Sequence, residues 1–114
     1  TAPKREALAE LAQIEDNYTN QSMHANQIAA DITLLLKRVA LVYHPRLDVA
    51  SLHGQAWVLF LEKTSQDIDF QSIENSLLDT PFNPNNNPQT AEQLSLLLNA
   101  TRRWIKQRRK QCLN

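Results

Sequence analysis

Three residues of one short stretch, Asp48, Ser51 and His53, are of the types that acyl transfer requires. Such a reaction uses a nucleophile, a base that takes its proton and an acid that orients the base. Members of such triads usually come from separate elements, however, and no glycine-flanked serine elbow is present to expose a nucleophile. Asp and Ser are also typical of helix starts. We therefore favour a capping role for Asp48 and Ser51, and keep a hydrolase-like enzyme using Ser51 and His53 as an alternative.

The histidines and the single cysteine offer little for a metal ion. No two of His24, His44 and His53 are four residues apart, and Cys112 lies close to the end of the chain. Closed zinc sites usually show recognisable ligand spacing, which is missing here. Gly54 is the only glycine, so no glycine-rich loop brings backbone amides around a phosphate. We predict no metal, no cofactor, no small-molecule substrate and no catalytic residue.

The strongest charge signal is a basic end. From Arg102 onward there are six basic residues and no acid, whereas the stretch from Leu47 to Glu92 has seven acids and one base, Lys63. Three interpretations compete: compensation of the helix dipole, binding of RNA or DNA, and attraction to an anionic membrane or an acidic partner protein. Nucleic-acid binding is disfavoured, because Trp104 falls on the core-facing stripe and is not free to stack on a base. The possible interaction surface consists of Arg102, Arg103, Lys106, Arg109 and Lys110.

Composition indicates one helical domain. The chain has 114 residues, of which 42% are hydrophobic and one is glycine, and this balance favours helices over a turn-rich sheet. Lys plus Arg equals Asp plus Glu at 12 each, so no net field steers the molecule onto a nucleic acid. No window has the ~20 consecutive apolar residues of a membrane span, so we expect a soluble fragment. Because the sequence opens on Thr1 rather than Met, we expect the fragment to belong to a longer chain.

Apolar residues recur at helical spacing in five segments. The pattern predicts an all-α bundle of about five helices over residues 3–18, 24–43, 49–64, 70–79 and 91–111, forming a single domain over 1–114. The second segment carries two apolar stripes, one of them containing Leu34 and Leu41, which indicates the central helix. His44-Pro45 ends this helix, because proline disfavours the α conformation in the preceding residue.

Capping and proline signals set the ends of the later segments. Asp48 is expected to cap a short turn that leads into the third helix, where Trp57 anchors the core. Three prolines among asparagines, between residues 80 and 88, predict a stiff polar surface loop. Thr90 to Gln93 has the pattern of a capping box at the start of the last helix, which Trp104 joins to the core.

Several short motifs occur in an order that is found in one protein family. They are Lys4-Arg5-Glu6-Ala7-Leu8, Leu36-Lys37-Arg38-Val39-Ala40 before Pro45-Arg46, Leu52, Gly54 and Ala56-Trp57 with Phe60-Leu61, Pro81-Phe82, and Arg102-Arg103-Trp104-Ile105. Together they extend over nearly the whole chain, which resembles the bacterial domain-of-unknown-function family DUF4381. Two positions depart from the pattern: His44, where an aromatic or small residue is expected, and His53, where serine is usual.

The resemblance implies a cellular location and protein partners rather than a catalysed reaction. Members of that family look like short inner-membrane proteins with one transmembrane helix, a basic stretch and then a helical domain like this one. Their genes are typically adjacent to those for a MoxR-type AAA ATPase and for Bat-type membrane proteins with von Willebrand factor A domains. The resemblance thus implies a non-catalytic, membrane-tethered adaptor domain that binds such proteins. With Lys4 and Arg5 near the anchor, the positive-inside tendency favours the cytoplasmic side of the bacterial inner membrane.

Overall fold

The architecture is a set of helices and short 3₁₀ turns around one apolar core. The structure, a computed structural model, describes residues 3–78 and 90–109. In chain order the elements are α1 (Pro3–Thr19), α2 (Ala25–Tyr43), a 3₁₀ turn at Val49–Ser51, α3 (Gly54–Lys63), a 3₁₀ turn at Gln71–Ile73, α4 (Glu74–Leu78) and α5 (Ala91–Lys106). No strand occurs among the described residues, and the predicted all-α fold is confirmed.

The centre of the fold is α2, which packs against both α1 and α5. Its buried residues are Ile28, Ala29, Ala30, Ile32, Leu35, Leu36, Val39 and Ala40. This agrees with the predicted central helix, but the second apolar stripe is not covered by the described elements: Leu34 is 58% exposed and Leu41 is 45% exposed. The described elements pack against the other side of the helix, which leaves these aliphatic side chains uncovered.

The connection after α2 differs from its prediction in one detail. His44-Pro45 ends the helix as predicted, and the His44 N–H still donates to the Ala40 carbonyl at 2.8 Å. The Asp48 side chain does not cap the following 3₁₀ turn, so that prediction is wrong. Instead the Ser51 hydroxyl donates to the Asp48 backbone carbonyl at 3.0 Å, and this bond closes the turn without the carboxylate.

The predicted segment 49–64 contains two elements. Leu52 and His53 have extended backbones, which separate the 3₁₀ turn from α3. Gly54 opens α3 at a φ of 59°, a left-handed value that glycine adopts without steric strain. Trp57 is 1% exposed and stacks on Phe60 with ring centres 5.7 Å apart. Its predicted role as a core anchor is confirmed.

The fourth segment starts with a 3₁₀ turn rather than an α-helix. The Glu62 carboxylate accepts hydrogen bonds from the Phe70 N–H at 2.8 Å and from the Gln71 N–H at 3.1 Å, and so satisfies free amides where the turn begins. Ile73 and Leu77, four residues apart in this segment, are both buried. Residue 79 and the predicted proline loop over 80–88 lie outside the described residues.

The start of α5 agrees with its prediction, and its end does not. Gln93 N–H donates to Thr90 Oγ1 at 3.1 Å while Thr90 N–H donates to Gln93 Oε1 at 2.9 Å, which confirms the capping box. Trp104 is 0% exposed, as predicted. The helix ends at Lys106, so the predicted extension to 111 is wrong for residues 107–109. Residues 110 and 111 lie outside the described range.

Candidate functional site

The end of α5 is fastened to the loop that follows α3, residues 64–67. Gln107 Oε1 accepts from the Gln66 N–H at 2.9 Å, and Gln107 Nε2 donates to the Gln66 carbonyl at 2.7 Å. Arg103 donates to the carbonyl of Asp67 at 2.7 Å, where the Asp67 backbone has a φ of 60°. The Gln107 N–H still donates to the Arg103 carbonyl at 3.1 Å, so the side-chain bonds hold the last turn of α5 and its C-cap residue against the loop.

A buried hydrogen-bond chain continues this attachment into the core. Trp104 Nε1 donates to Thr64 Oγ1 at 3.0 Å, and the Thr64 hydroxyl donates in turn to the Phe60 carbonyl at 2.8 Å. The indole N–H of a buried tryptophan needs an acceptor, and the threonine hydroxyl supplies one while keeping its own hydrogen bonded. The end of α3 is thereby tied to the last turn of α5.

Arg108 lies in the segment after α5, and its side chain packs against the last turn of that helix. Only 5% of the residue is exposed, and its guanidinium lies over the Trp104 ring, 4.0 Å from the ring centre. Nε donates to the Trp104 carbonyl at 3.0 Å, and Nη2 donates to the Thr64 carbonyl. Burial lowers the pKa of Arg108 to about 10, an effect that Tyr43 opposes. The side chain therefore remains a cation at neutral pH.

His44 is the third partner of Arg108. Its Nε2 lies 2.9 Å from Arg108 Nη1, which has hydrogens to donate and no acceptor atom. Nε2 must then be the acceptor, and the hydrogen of the neutral imidazole is on Nδ1. The ring also meets Phe60 edge-on at 5.3 Å. The pKa of His44 is lowered below 6.5, chiefly by burial and secondly by the Arg108 cation.

These groups border a cleft of about 570 Å³ between the end of α2, the 64–67 loop and the end of α5. Its lining residues in the described part of the chain are Tyr43, His44, Thr64, Gln66, Lys106, Gln107, Arg108 and Arg109. Three of the eight are cations at neutral pH and none is acidic. A cleft lined by charge of one sign focuses the electric field and attracts ligands of the opposite sign.

The basic residues predicted as an interaction surface are divided among several roles. Arg102 forms an ion pair with a carboxylate of α1 at 2.7 Å. Arg103 is exposed but bonds to the 64–67 loop. Lys106 and Arg109 are exposed and line the cleft. Lys110 lies outside the described residues. Only part of the predicted surface therefore belongs to one continuous site.

The residues of the alternative enzyme hypothesis lie together in the turn before α3 but in other pairings. The Ser51 hydroxyl is directed at the Asp48 carbonyl, and His53 Nδ1 lies 2.9 Å from the backbone carbonyl of Ser51. Among the described residues no hydrogen bond joins the Ser51 hydroxyl to the His53 ring. Both residues are exposed, and neither lines the cleft.

Metal ligation and membrane spanning find no support in the described part of the chain. Within residues 3–78 and 90–109, no three His, Cys, Asp or Glu side chains come close enough to hold a metal ion. His24 precedes α2 as its N-cap residue, without a capping bond from its side chain, and Cys112 lies outside the described residues. None of the described helices combines the length and the hydropathy that crossing a bilayer requires.

A second concave surface, the α1–α2 groove, lies on another face of the molecule and has about 390 Å³ of space. Its described lining consists of Pro3, Glu6, Ala7, Glu10, Leu35, Arg38, Val39, Leu41 and Val42. Arg38 forms an ion pair with Glu10 across it. Leu34, Leu41 and Val42 are all largely exposed on α2, and Glu6 is exposed at the rim. The groove is thus mainly aliphatic, with an acidic edge.

Comparison with family models gives one match, to a model described as a domain of unknown function (DUF4381), over residues 1–107. The chain belongs to the DUF4381 family. The family that the motifs indicated is thereby confirmed. The searches of curated proteins and of solved structures each return no match. In this DUF4381 domain Arg108 lies one residue beyond the matched range, and its partner His44 is a position where the sequence departs from the expected pattern.

Sequence reasoning missed the site that Arg108 and His44 build in this DUF4381 domain. Arg108 was counted with the other basic residues of the C-terminal end, whose simplest role is to compensate a helix dipole. The available signal was the helical spacing: Arg108 follows Trp104 by four residues, so its side chain is able to reach over a ring already assigned to the core.

Proposed function

We propose that this chain is a non-catalytic adaptor domain of a MoxR and von Willebrand factor A system, tethered to the cytoplasmic side of the bacterial inner membrane. The observation that carries the proposal is the uncovered aliphatic face of α2. Leu41 and Val42 are exposed and line the α1–α2 groove, and Leu34, which is outside that lining, is exposed seven residues earlier on the same helix. Exposed apolar side chains with a polar rim are typical of protein-binding sites.

The groove favours an amphipathic helix of the partner as its occupant. Leu41 and Val42 present exposed aliphatic side chains to this groove, and an amphipathic helix covers such side chains when its apolar face is laid into a groove. Exposed Glu6 at the rim favours a partner helix that also carries a basic residue beside its aliphatic face. Glu10, one turn after Glu6 on α1, forms an ion pair with Arg38 of α2 at the same groove.

The family supports the identity of the partners and the location. The resemblance associates such domains with MoxR-type AAA ATPases and with membrane proteins that contain von Willebrand factor A domains. Lys4 and Arg5, near the beginning of α1, agree with a cytoplasmic position next to a membrane anchor. In this proposal the anchor holds the domain at the membrane, and the groove binds a helix of one of these partners.

The non-catalytic part of the proposal is supported by what the polar groups bond to. The Ser51 hydroxyl is committed to the Asp48 carbonyl, so it has no base placed to activate it. His44 and Arg108 fasten the last segment of the chain to the 64–67 loop, which is a role in holding the fold.

Co-expression of the full-length protein with the adjacent-gene ATPase and von Willebrand A-domain protein tests the partners. We expect purification in mild detergent to recover at least one of the two with the wild type. The double variant Leu34→Ser/Leu41→Ser should lose it. The matched control is Leu59→Ser/Leu96→Ser, which changes two leucines exposed to similar extents, 49% and 44%, on α3 and α5.

Two results contradict the proposed partners. One is recovery of neither protein with the wild type, and the other is equal recovery with both double variants. If ultracentrifugation instead shows a dimer that Leu34→Ser/Leu41→Ser dissociates, the face binds a second copy of the chain and the adaptor proposal fails. The tether is tested by carbonate washing of membranes, where release of the full-length protein into the supernatant would count against it.

A further inference from the structure

The cleft at the end of α5 contains positive charge that no described lining residue offsets. Lys106, Arg108 and Arg109 contribute three cations, and none of the described lining residues is acidic. Within the part of the chain that the structure describes, no carboxylate forms an ion pair with Arg108, and its hydrogen-bond partners are two carbonyls and a neutral imidazole. Buried charges are ordinarily paired, so the cleft lacks a counter-charge.

The donors of Arg108 are only partly used. A guanidinium has five N–H groups, and three of them bond to Trp104, His44 and Thr64. One N–H on each terminal nitrogen is left, on a side chain held in place by its stacking on Trp104. A fixed guanidinium with two remaining donors suits a planar or tetrahedral oxyanion, which accepts from both nitrogens at once.

We propose that this cleft binds a phosphoryl group. Three cations without an acid match a ligand of more than one negative charge, and a phosphate monoester carries about −1.5 to −2 near neutral pH, whereas a carboxylate carries −1. Arg108 positions the group at the wall, and the exposed side chains of Lys106 and Arg109 close over it from the solvent side. The group arrives on a soluble phosphate ester or on a phospholipid headgroup.

This inference is independent of the adaptor proposal. The α1–α2 groove and the cleft share no described lining residue, so variants of one leave the other unchanged. Failure of phosphate binding would say nothing against the partners, and failure to recover partners would say nothing against phosphate binding.

The first test is titration of the ¹⁵N-labelled chain with inorganic phosphate near pH 7.5, with acetate at equal ionic strength as the monoanion reference. We expect saturable shifts of the amides at residues 43–44, 64–66 and 106–109 with phosphate, and at least about tenfold weaker binding of acetate. The double variant Lys106→Gln/Arg109→Gln should weaken phosphate binding by about tenfold or more. Because both side chains are exposed, this variant avoids the folding risk of replacing buried Arg108.

The matched control is Arg5→Gln/Arg46→Gln, which removes the same charge from two exposed residues outside the lining of the cleft and of the groove. It should change phosphate binding less than about twofold. Equal weakening by both double variants, equal binding of acetate, or no saturable shift would each overturn the proposal. Two further probes then distinguish the sources of the phosphoryl group. Binding of glycerol phosphate that Lys106→Gln/Arg109→Gln abolishes supports a soluble phosphate ester. Binding to vesicles containing phosphatidic acid that the same variant abolishes supports a lipid headgroup.

Discussion

Arg108 Nη1 lies 2.9 Å from His44 Nε2, so the segment after α5 is bonded to the residue that ends α2. The bond exists only while the imidazole is neutral, because a protonated ring would present a donor to a donor. The same guanidinium stacks on Trp104 and donates to the Thr64 carbonyl. One side chain thereby joins the ends of three helices, and its dependence on the charge of His44 is open to measurement.

Acidification should destabilise the protein through His44. Its folded pKa lies below the ordinary value of 6.5, first through burial and second through Arg108. As pH falls below about 6.5, the unfolded chain takes up a proton that folded His44 does not yet bind. This contribution to the free energy of unfolding therefore has its full value above about pH 6.5. It decreases as the pH falls from the unfolded pKa to the folded pKa, and it is constant below both. Urea unfolding between about pH 7.5 and pH 5 measures it.

Two variants separate His44 from the other titrating groups. His44→Gln retains an acceptor for Arg108 but removes the imidazole, so its free energy of unfolding should depend less on pH over this range. His53→Gln removes an exposed imidazole and should keep the wild-type dependence. A His44→Gln protein with the same pH dependence as the wild type would refute this account.

Replacing Arg108 with methionine should lower the free energy of unfolding by about 1–3 kcal/mol. The methionine keeps an apolar stem over Trp104, but the part-buried Thr64 carbonyl and His44 Nε2 lose their donor, and an acceptor left without a partner is destabilising. Removal of the nearby cation should also raise the pKa of His44, which NMR titration of the ring reports. Arg109→Met, at an exposed position, should stay within about 0.5 kcal/mol of the wild type. Equal effects of the two substitutions would contradict the assignment.

The two buried tryptophans should respond differently to phenylalanine. Truncation of Trp57 or Trp104 to alanine should destabilise by roughly 3–5 kcal/mol, because both rings lie in the core. Trp104 Nε1 donates to Thr64, whereas Trp57 Nε1 has no hydrogen-bond partner among the described residues. Trp104→Phe should therefore cost about 1 kcal/mol more than Trp57→Phe in denaturant unfolding. A larger loss for Trp57→Phe would mean that the hydrogen bond to Thr64 contributes little.

The helices were predictable because their signals are local. Apolar spacing located both ends of α1 and α2 to within one residue but only the end of α3, and the capping box at Thr90 fixed the start of α5 from two side chains three positions apart. Periodicity does not say how many faces of a helix its neighbours cover. Leu34 and Leu41 satisfied the helical pattern and are nevertheless exposed, since the described elements pack against the other side of α2.

The site was not predictable in the same way, because its bonds join distant parts of the sequence. Arg108 and His44 are 64 positions apart, and the local sequence around either residue does not indicate that the two are in contact. Cations at the end of a helix agree equally with continuation to 111, which the sequence predicted, and with the observed stop at Lys106. The bonds from Gln107 to Gln66 hold the C-cap residue of α5 against the loop, and such a tertiary contact leaves no periodic signal in the sequence.

Gln107→Ala tests whether these bonds hold the end of α5 in place. The Gln107 side chain satisfies both the N–H and the carbonyl of Gln66. An exposed hydrogen bond contributes about 0.5–1.5 kcal/mol, and water replaces part of that when the side chain is removed, so the free energy of unfolding should fall by about 1 kcal/mol. Hydrogen exchange of the Gln66 amide should accelerate, because without Gln107 Oε1 its N–H bonds to water and is no longer protected. Gln13→Ala, which removes an exposed side-chain bond to Asn17 on α1, is the control and should change neither quantity appreciably. An unchanged exchange rate at Gln66 in Gln107→Ala would show that the loop keeps its place without α5, and the cleft would then have to be attributed to Arg108 and Thr64 alone.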